Sequence, residues 1–213
     1  MPLREYQTEL IGRTRKSWAT GHKRPCIVLG CGGGKSVIVA EIARKTTENK
    51  KRVLFIVHRK ELCDQIRHTF GWWGVDMDYC TIGMVQTVTR RLTKIRPPTL
   101  IITDENHHCL ANSYRRIYEA FPDAYCVGVT ATRVRLDGAG LGDVNDDLVI
   151  GPPTRWLIDN GYLAPYKYYS VKLIDADALR TRRGEYDLTG VVLDRKIYGD
   201  VILSYRKFAD GLK

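Results

Sequence analysis

The sequence predicts an α/β fold built on an open, mostly parallel sheet with helices on both faces. Four short apolar runs have the length and composition of buried strands, at residues 26–29, 53–57, 100–103 and 125–129. Helix-like segments separate most of these runs, an alternation that is typical of parallel sheets. Polar or glycine-rich stretches follow the runs directly, at the strand ends where such sheets bind their ligands. These three observations predict both the fold class and the edge that carries the function.

Two helices are predicted beside the first strands. Residues 36–45 are rich in buried-type aliphatic side chains, and residues 60–70 place Leu62, Ile66 and Phe70 four residues apart on one helical face. Residues 137–147 are glycine- and aspartate-rich and are predicted to form a loop. The stretch "IGPPTRWLIDNGYL" predicts a short helix that begins after proline and stops at Gly161.

We expect residues 1–163 to form one domain and residues 164–213 to form a strand–loop–helix extension. The strand is predicted in "KYYSVKLI" and the helix near residues 196–209. No apolar run approaches the ~18 residues that span a bilayer, and the amino terminus does not read as a signal peptide. A cytoplasmic protein without a membrane partner is the expectation.

Composition narrows the partners. The six cysteines form no C-x-x-C pair, and His107 and His108 are adjacent, so we expect reduced thiols and no zinc site. The formal net charge is +10 and the isoelectric point is near 9.4. A polyanionic partner would explain this charge, and so would a solvated basic surface.

The glycine-rich stretch "GCGGGKS" follows the first strand and opens a helix. Such a loop directs backbone N–H groups and a helix N-terminus at an anion. Lys35 would reach the β- and γ-phosphates of a nucleotide, and the Ser36 hydroxyl would ligate Mg²⁺. The strict phosphate-loop pattern has glycine where this chain has Leu29, so a purely structural glycine turn is the alternative. The predicted cradle consists of Gly30, Cys31, Gly32, Gly33, Gly34, Lys35 and Ser36.

A pair of acids follows the third predicted strand, in "LIITDENHH". Asp104 is placed to hold Mg²⁺ through water, and Glu105 is placed to orient or deprotonate the attacking water. Two acids that merely cap a surface strand are the alternative. A phosphate loop earlier in the chain favours the catalytic interpretation.

In this order, the motifs resemble the first RecA-like lobe of superfamily 2 helicases of the DEAD/DEAH-box type, close to bacterial and phage DNA repair helicases. "LREYQTELI" resembles the Q motif, "GCGGGKS" motif I, "HRKELCDQ" motif Ia, "TIGMVQTVTRR" a following nucleic-acid motif, "DENH" motif II and "TAT" motif III. The resemblance covers residues 3–163. It implies a RecA-like P-loop NTPase domain that uses ATP and Mg²⁺, in a bacterial cell or a phage-infected host.

The resemblance also implies roles for individual residues. Gln7 would read adenine with Arg4 nearby, and Glu105 and Lys35 would be catalytic. The residues expected to touch the phosphates or sugars of a nucleic acid are His58, Arg59, Gln86 and Thr87. The residues expected to couple the two sites are His107, Thr130 and Thr132. Single-stranded or partly duplex nucleic acid is the implied partner, with DNA favoured over RNA.

The chain departs from the family pattern at several positions. Motif I of the family does not require the glycine that Leu29 replaces. Asn106 stands where the family usually has a small residue, and we expect little effect from it. Arg133 stands where proline is usual, so the turn after motif III is expected to differ. For Trp72 and Trp73 we favour packing against the core over base stacking.

A helicase motor needs a second RecA-like lobe that donates arginine fingers, worth on the order of 10³–10⁵ in rate in related phosphoryl transfers. No arginine pattern of that kind follows residue 163. We therefore expect nucleotide binding with weak hydrolysis, and a second lobe or partner subunit that completes the site. The alternatives are an ATP-responsive nucleic-acid-binding module without turnover, an RNA helicase lobe, and a small P-loop kinase.

Overall fold

The computed structural model of the chain describes residues 2–106, 112–132, 140–166, 181–182, 185–186, 203 and 205–208. Two compact units are present, Met1–Ala164 and Pro165–Lys213. In the second unit, strands Thr181–Arg182 and Glu185–Tyr186 form an antiparallel pair, and residues 205–208 are helical. The predicted strand in "KYYSVKLI" lies outside the described residues. The assignment of residues 1–163 to a helicase lobe and of residues 164–213 to an extension stays a prediction.

The first unit contains a six-stranded, all-parallel sheet with helices on both faces, which confirms the predicted fold class. The strands are β1 (Pro25–Val28), β2 (Val53–Val57), β3 (Cys80–Met84), β4 (Leu100–Thr103), β5 (Tyr125–Thr130) and β6 (Asp147–Ile150). Their spatial order is β3-β2-β4-β5-β1-β6.

Six α-helices and two short 3₁₀ turns connect these strands in the described residues. The helices are α1 (Glu5–Ala19), α2 (Lys35–Glu48), α3 (Lys60–Trp73), α4 (Val85–Arg90), α5 (Asn112–Ala120) and α6 (Thr154–Asp159). The 3₁₀ turns are Met77–Tyr79 and Leu92–Lys94. None of the described helices has the length and apolar composition needed to cross a membrane.

The four predicted strands are the four central strands of the sheet, and β3 and β6 are the two that the sequence did not predict. Both are edge strands, so each has only one neighbour and buries less of its surface. Strand β3 contains Gly83 and an exposed Thr81, and β6 begins at Asp147, inside the segment predicted to be a loop. Mixed burial of this kind leaves no continuous apolar run to detect.

The core lies on both faces of the sheet. Along β2, Val53, Phe55 and Val57 point toward α1, α2 and α3, whereas Leu54 and Ile56 point toward α4 and α5. This alternation follows from the two-residue period of a strand, with both faces covered. The Phe55 ring meets Phe70 of α3 edge to face, with centroids 5.2 Å apart. Complete burial of such side chains contributes about 1.5–3 kcal/mol each and fixes the helices against the sheet.

Helix α6 ends as its sequence predicts. Gly161 adopts a left-handed conformation with φ of 73°, and the Tyr162 N–H donates to the Leu157 carbonyl at 2.8 Å. A glycine at this position closes the helix because it tolerates the left-handed backbone. The chain therefore turns back over the end of α6 and carries Tyr162 and Leu163 toward α1 and the glycine loop.

The carboxylate of Glu41 joins α2 to α3. It accepts two hydrogen bonds from the Arg44 guanidinium, at 2.8 and 2.9 Å, and one from the Trp73 indole at 2.9 Å. The Lys45 ammonium lies 3.4 Å away. The hydrogen bonds from Arg44 are the main reason that the pKa of Glu41 falls from 4.5 to about 2, despite the opposing effect of burial. Trp73 is thus held against the core, as expected, whereas Trp72 is 62% exposed.

This carboxylate predicts a pH-dependent contribution to stability. Because the folded-state pKa of Glu41 lies below its ordinary value, its contribution is complete above pH 4.5 and is lost as the pH falls toward 2. Glu41→Gln should lower the free energy of unfolding at pH 7 by roughly 2–3 kcal/mol, since one pKa unit corresponds to about 1.4 kcal/mol. Urea unfolding at pH 7, 4.5 and 3 should show the difference between the two proteins narrowing with acid.

Glu48→Gln is the matched control. Glu48 also pairs with Arg44, but its side chain is 55% exposed, and an exposed pair contributes about 0–1 kcal/mol. Parallel stability–pH curves for wild type and Glu41→Gln would contradict the prediction.

Candidate nucleotide site and nucleic-acid interface

The carboxyl ends of the parallel strands bring the candidate residues to one edge of the sheet. Strands β4, β5 and β1 are consecutive neighbours, with Thr103 opposite Gly128 and Val28 opposite Thr130. Neighbouring strands lie ~4.8 Å apart. The glycine loop after β1, the acids after β4 and the threonines at the end of β5 therefore form one cluster, as the sequence predicted.

The glycine loop is shaped by two left-handed residues. Gly32 has φ of 76°, and Gly34 has φ of 85° and caps the start of α2. The Lys35 ammonium donates to the Leu29 carbonyl at 3.1 Å, so its side chain crosses the loop, and Ser36 is exposed in the first turn of α2. Left-handed glycines at a helix N-terminus turn successive N–H groups around one anion-sized concavity. The geometry and the donor set fit a nucleotide phosphate.

The segment resembling the Q motif packs directly under this loop. Gln7 is 4% exposed; its amide donates to the Gly33 carbonyl at 3.3 Å and accepts the Arg4 N–H at 3.0 Å. The Tyr6 hydroxyl donates to the same carbonyl at 2.8 Å. A Cβ at Gly34 would lie 2.4 Å from the Gln7 amide nitrogen, so only glycine allows this approach. The structure thus places Gln7 against the loop, while its role toward adenine stays a prediction.

An aromatic cluster beside the loop was missed by the sequence analysis. The rings of Trp156 and Tyr162 are stacked with centroids 5.7 Å apart, and Tyr6 meets Tyr162 edge to face at 5.1 Å. The Arg4 guanidinium lies 5.2 Å from the Tyr162 ring centre and donates to the Tyr162 carbonyl at 3.4 Å. Leu163 reaches the loop itself, because a Cβ at Gly32 would lie 2.8 Å from its side chain. Only the tertiary fold brings these aromatic residues to the glycine loop.

One of the two acids, Glu105, has an unusual backbone conformation. Asp104 and Glu105 are half-buried, and Glu105 is left-handed with φ of 48°. The Glu105 N–H donates to the Asp104 carboxylate at 2.9 Å. A non-glycine residue in this region costs on the order of 1–3 kcal/mol, and such residues cluster at functional sites. The surrounding structure must therefore hold the acidic pair in place.

Asn106, which follows the two acids, is held by several polar contacts, while the expectation that its departure from the family pattern has little effect stays a prediction. It is 3% exposed, accepts a hydrogen bond from the Thr103 hydroxyl at 2.9 Å and donates to the Asn145 amide oxygen at 2.7 Å. Its amide also lies 3.4 Å from the Cys26 sulfur. Asn106 thereby links the acids after β4 to strand β1 and to the segment before β6.

The three residues expected to couple the two sites are only partly described. Thr130 is buried, and its hydroxyl accepts the Thr132 N–H at 3.3 Å. Thr132 is exposed at the end of β5. His107 and Arg133 lie outside the described residues.

The four residues expected to contact nucleic acid share one edge. His58 and Arg59 are exposed immediately before α3, and Gln86 and Thr87 are exposed in the first turn of α4. They follow β2 and β3, which pair with Val57 opposite Met84. The structure therefore brings the two pairs together at the carboxyl ends of adjacent strands.

The basic residues around β2 are divided between opposite edges of the sheet. Arg59 and Lys60 follow the strand, whereas the positively charged residues 50–52 precede it. The five residues of β2 lie between the two groups, a span of about 17 Å. Only Arg59 and Lys60 lie at the edge that carries the glycine loop.

The family described as "Type III restriction enzyme, res subunit" matches residues 1–94 and 76–135. The chain belongs to this family. Membership in the res-subunit family confirms the predicted relationship to the first RecA-like lobe of superfamily 2 helicases, which are ATP-hydrolysing enzymes.

Two relatives with similar sequences are longer than this chain. A "51.5 kDa protein" of a Lactococcus phage is 45% identical over 184 residues, which cover 85% of this chain and 41% of the phage protein. The "Putative ATP-dependent helicase IRC3" of Saccharomyces cerevisiae is 31% identical over 234 residues, covering 94% of this chain and 34% of the yeast protein. The chain thus spans less than half the length of these two relatives.

A solved structure shares the fold. It is that of a nuclease-deletion mutant of the Type ISP restriction-modification enzyme LlaGI in complex with a DNA substrate mimic. The TM-score is 0.63 at 11% identity, over 81% of this chain and 21% of LlaGI. At this identity the likeness concerns the fold alone.

The Asn106 contacts predict an energetic coupling with Gly128. A Cβ at Gly128 would lie 2.2 Å from the Asn106 side chain. Gly128→Ala should therefore destabilise the protein by about 1–3 kcal/mol through overpacking, and Asn106→Ala by about 2–3 kcal/mol because buried polar partners are left unsatisfied. In the double variant the clash is gone, so urea unfolding should show little further loss beyond Asn106→Ala.

Gly142→Ala is the control, since nothing lies within 4 Å of a Cβ at that position. Additive losses in the double variant would show that the two side chains do not compete for the same space.

Proposed function

We propose that the chain is the ATP-binding motor lobe of an ATP-dependent DNA helicase or translocase, which binds ATP–Mg²⁺ and single-stranded DNA. The observation that supports this most directly is that the Lys35 loop and the acids Asp104 and Glu105 follow the carboxyl ends of two parallel strands, β1 and β4, that are separated only by β5. The relationship to ATP-hydrolysing helicases supports the assignment. The motif pattern supports DNA over RNA.

In this proposal each residue of the site has a separate task. The N–H groups of residues 30–34 and the Lys35 ammonium bind the phosphates, with Lys35 leaving the Leu29 carbonyl to do so. Ser36 and Asp104 hold Mg²⁺, which would neutralise charge that develops on the phosphates. Glu105 orients a water and accepts its proton. The hydrogen bond between the Glu105 N–H and Asp104 keeps the two carboxylates in a fixed relation.

The nucleobase would lie against the aromatic cluster. Tyr162, Trp156 and Arg4 border the glycine loop and offer a ring and a guanidinium for stacking, while Gln7 lies beneath the loop. Stacking of a base on an aromatic ring contributes about 1–3 kcal/mol. The proposed nucleotide thus lies between the Q-motif segment and the turn after α6.

The single strand would cross the edge formed by His58, Arg59, Gln86 and Thr87. All four are exposed, and their side chains suit phosphate and sugar contacts that read no sequence. Thr130 and Thr132, beside the acids, would relay the state of the nucleotide. A second RecA-like lobe or partner subunit would supply arginines to the γ-phosphate, so this chain alone is expected to turn ATP over slowly.

Separate substitutions at Lys35 and Glu105 distinguish ATP binding from ATP hydrolysis. Lys35→Ala should weaken binding of a fluorescent ATP analogue by on the order of tenfold or more, because it removes a charge-assisted contact. Glu105→Gln should retain binding and serve as the blank for steady-state hydrolysis with and without single-stranded DNA. Wild-type affinity in Lys35→Ala would contradict the cradle. Strong DNA-stimulated turnover that Glu105→Gln removes would contradict the need for a second lobe.

Cys31 provides an independent readout of nucleotide in the loop. It is exposed, whereas Cys26, Cys63, Cys80 and Cys126 are buried. Alkylation by a maleimide, mapped to the Cys31 peptide by mass spectrometry, should slow by about 100-fold with ATP–Mg²⁺ at 100 times its Kd, because bound nucleotide covers the thiol. Protection should be lost in Lys35→Ala. Equal rates with and without nucleotide would place the ligand elsewhere.

A further inference from the structure

The connection between β3 and β4 is unusually basic. Residues 85–98, "VQTVTRRLTKIRPP", contain four cations and no acidic residue. Its polar exposed side chains begin with Gln86 and Thr87, continue with Arg90 and Arg91 at the end of α4, and reach Lys94 and Arg96. A charge run of this kind has no internal carboxylate to neutralise it.

The path of this connection joins the two edges of the sheet. It leaves β3 at the carboxyl edge, where the proposed single strand lies, and it must return to the amino edge because β4 runs parallel to β3. On the way α4 packs over β2 through Val85 and Val88, which turns the rest of the helix to solvent. The connection therefore forms a band about 17 Å long, the length of a five-residue strand, and its basic residues occupy the part from the end of α4 to the amino edge.

The band ends in a cavity at the amino edge. The cavity has a volume of about 230 Å³ and is lined by the cations Arg52, Lys94 and Arg96 together with Tyr79. Arg52 and Tyr79 immediately precede the paired residues Val53 and Cys80. The Arg52 guanidinium lies 5.7 Å from the Tyr79 ring centre. The residues that precede β2 and β3 line one side of the cavity, and the chain that returns to β4 lines the other. Three positively charged side chains therefore surround one small space.

The charge of this cavity is unopposed within the described part of the chain. No carboxylate lines it, and no ion pair of Arg52, Lys94 or Arg96 is formed with the described residues. Lys50 differs, because it pairs with Asp76 at 3.1 Å. Other cavities of the first unit combine cations with acids, such as Arg44 with Glu41. An anionic ligand is therefore favoured at this corner of the sheet.

The shape of the cavity suits a phosphodiester backbone rather than an unstacked base. Tyr79 is the one aromatic residue among its lining residues, and its ring already contacts Arg52 and Lys50, with Lys50 5.0 Å from the ring centre. Proteins that grip single strands provide open aromatic platforms for the bases, whereas a duplex hides its bases and presents phosphates. Duplex nucleic acid is thus the better match.

We propose that the cavity of Arg52, Lys94 and Arg96 is a second nucleic-acid site, which binds the backbone of a duplex arm adjoining the single strand held at the carboxyl edge. The inference rests on the proposed function and deepens it. The 17 Å band corresponds to about five base pairs at 3.4 Å each. Arg90 and Arg91 lie between the two sites and guide the backbone from one to the other.

The test compares two substrates with two triple variants of the full chain. The substrates are a single strand of about eight nucleotides, and the same strand joined to a duplex of about ten base pairs, with the arm on either end. The site variant is Arg52→Gln/Lys94→Gln/Arg96→Gln. The matched control, Arg15→Gln/Lys16→Gln/Arg24→Gln, removes the same net charge from exposed positions outside the band. Circular dichroism and thermal unfolding verify that each variant is folded.

Wild type should bind the arm-bearing substrate more tightly than the single strand. The site variant should lose on the order of tenfold affinity for the arm-bearing substrate near 100 mM salt, and the slope of log K against log salt should fall by about 2–3, because each phosphate contact contributes about 0.9. Affinity for the single strand should stay within about twofold, and the control should change neither.

The results that would contradict the second site can be told apart from those that would contradict nucleic-acid binding altogether. An arm that adds no affinity, or equal losses in the site variant and the control, would overturn the second site while leaving single-strand binding intact. Equal losses on both substrates in the site variant alone would place these cations in the single-strand site and likewise overturn the inference. A wild-type chain that binds neither substrate would overturn the proposed nucleic-acid function as well.

Discussion

The parallel pairing of β1 between β5 and β6, and of β4 between β2 and β5, is the constraint on which every other feature of this protein depends. Because all strands run the same way, each ends at the same edge, and each loop that follows is delivered to one shared surface. The register then decides which residues meet: Val28 lies opposite Thr130, and Thr103 lies opposite Gly128. A shift of one residue would turn the alternating side chains of β2 and its neighbours to the wrong face. The burial of Phe55 and Ile56 therefore also fixes the position of the acids.

Close backbone approach is the second organising feature of the site. Glycines at positions 33, 34 and 128 leave space that Leu29, Gln7 and Asn106 occupy. The glycine loop is thus packed from below by side chains while its upper surface stays open for an anion. The absence of a side chain at Gly128 likewise leaves room for the Asn106 amide, next to Glu105. In this protein, glycine acts at the site as much through the volume it leaves as through its backbone freedom.

Local sequence patterns were sufficient to predict the elements whose formation depends on neighbouring residues in the chain. The four central strands, α2, α3 and the glycine stop of α6 follow from continuous apolar runs, helical periodicity and a left-handed residue. The edge strands β3 and β6 have no such run, because one neighbour buries too little of them. The positions of the motif residues at one edge also followed from the order of strands and loops.

The rest required the tertiary structure. Tyr162 and Trp156 reach the glycine loop from more than 100 residues away in the chain, so no spacing rule connects them. The contacts of Asn106 could not be predicted from the sequence because its partners, Thr103 and Asn145, belong to different elements. Residues 50–52 are near Arg59 and Lys60 in the sequence, but the five residues of β2 place the two groups at opposite edges of the sheet.

The turn after α6 has a mechanical consequence. Leu157 receives the N–H groups of both Tyr162 and Leu163, Arg4 holds the Tyr162 carbonyl, and Leu163 rests where Gly32 would otherwise carry a side chain. The chain therefore leaves this unit as a strap that packs against the glycine loop at Gly32. A force applied to that strap would act on the glycine loop before it acts on the sheet. A pulling force along the polypeptide would then change the affinity for the proposed nucleotide.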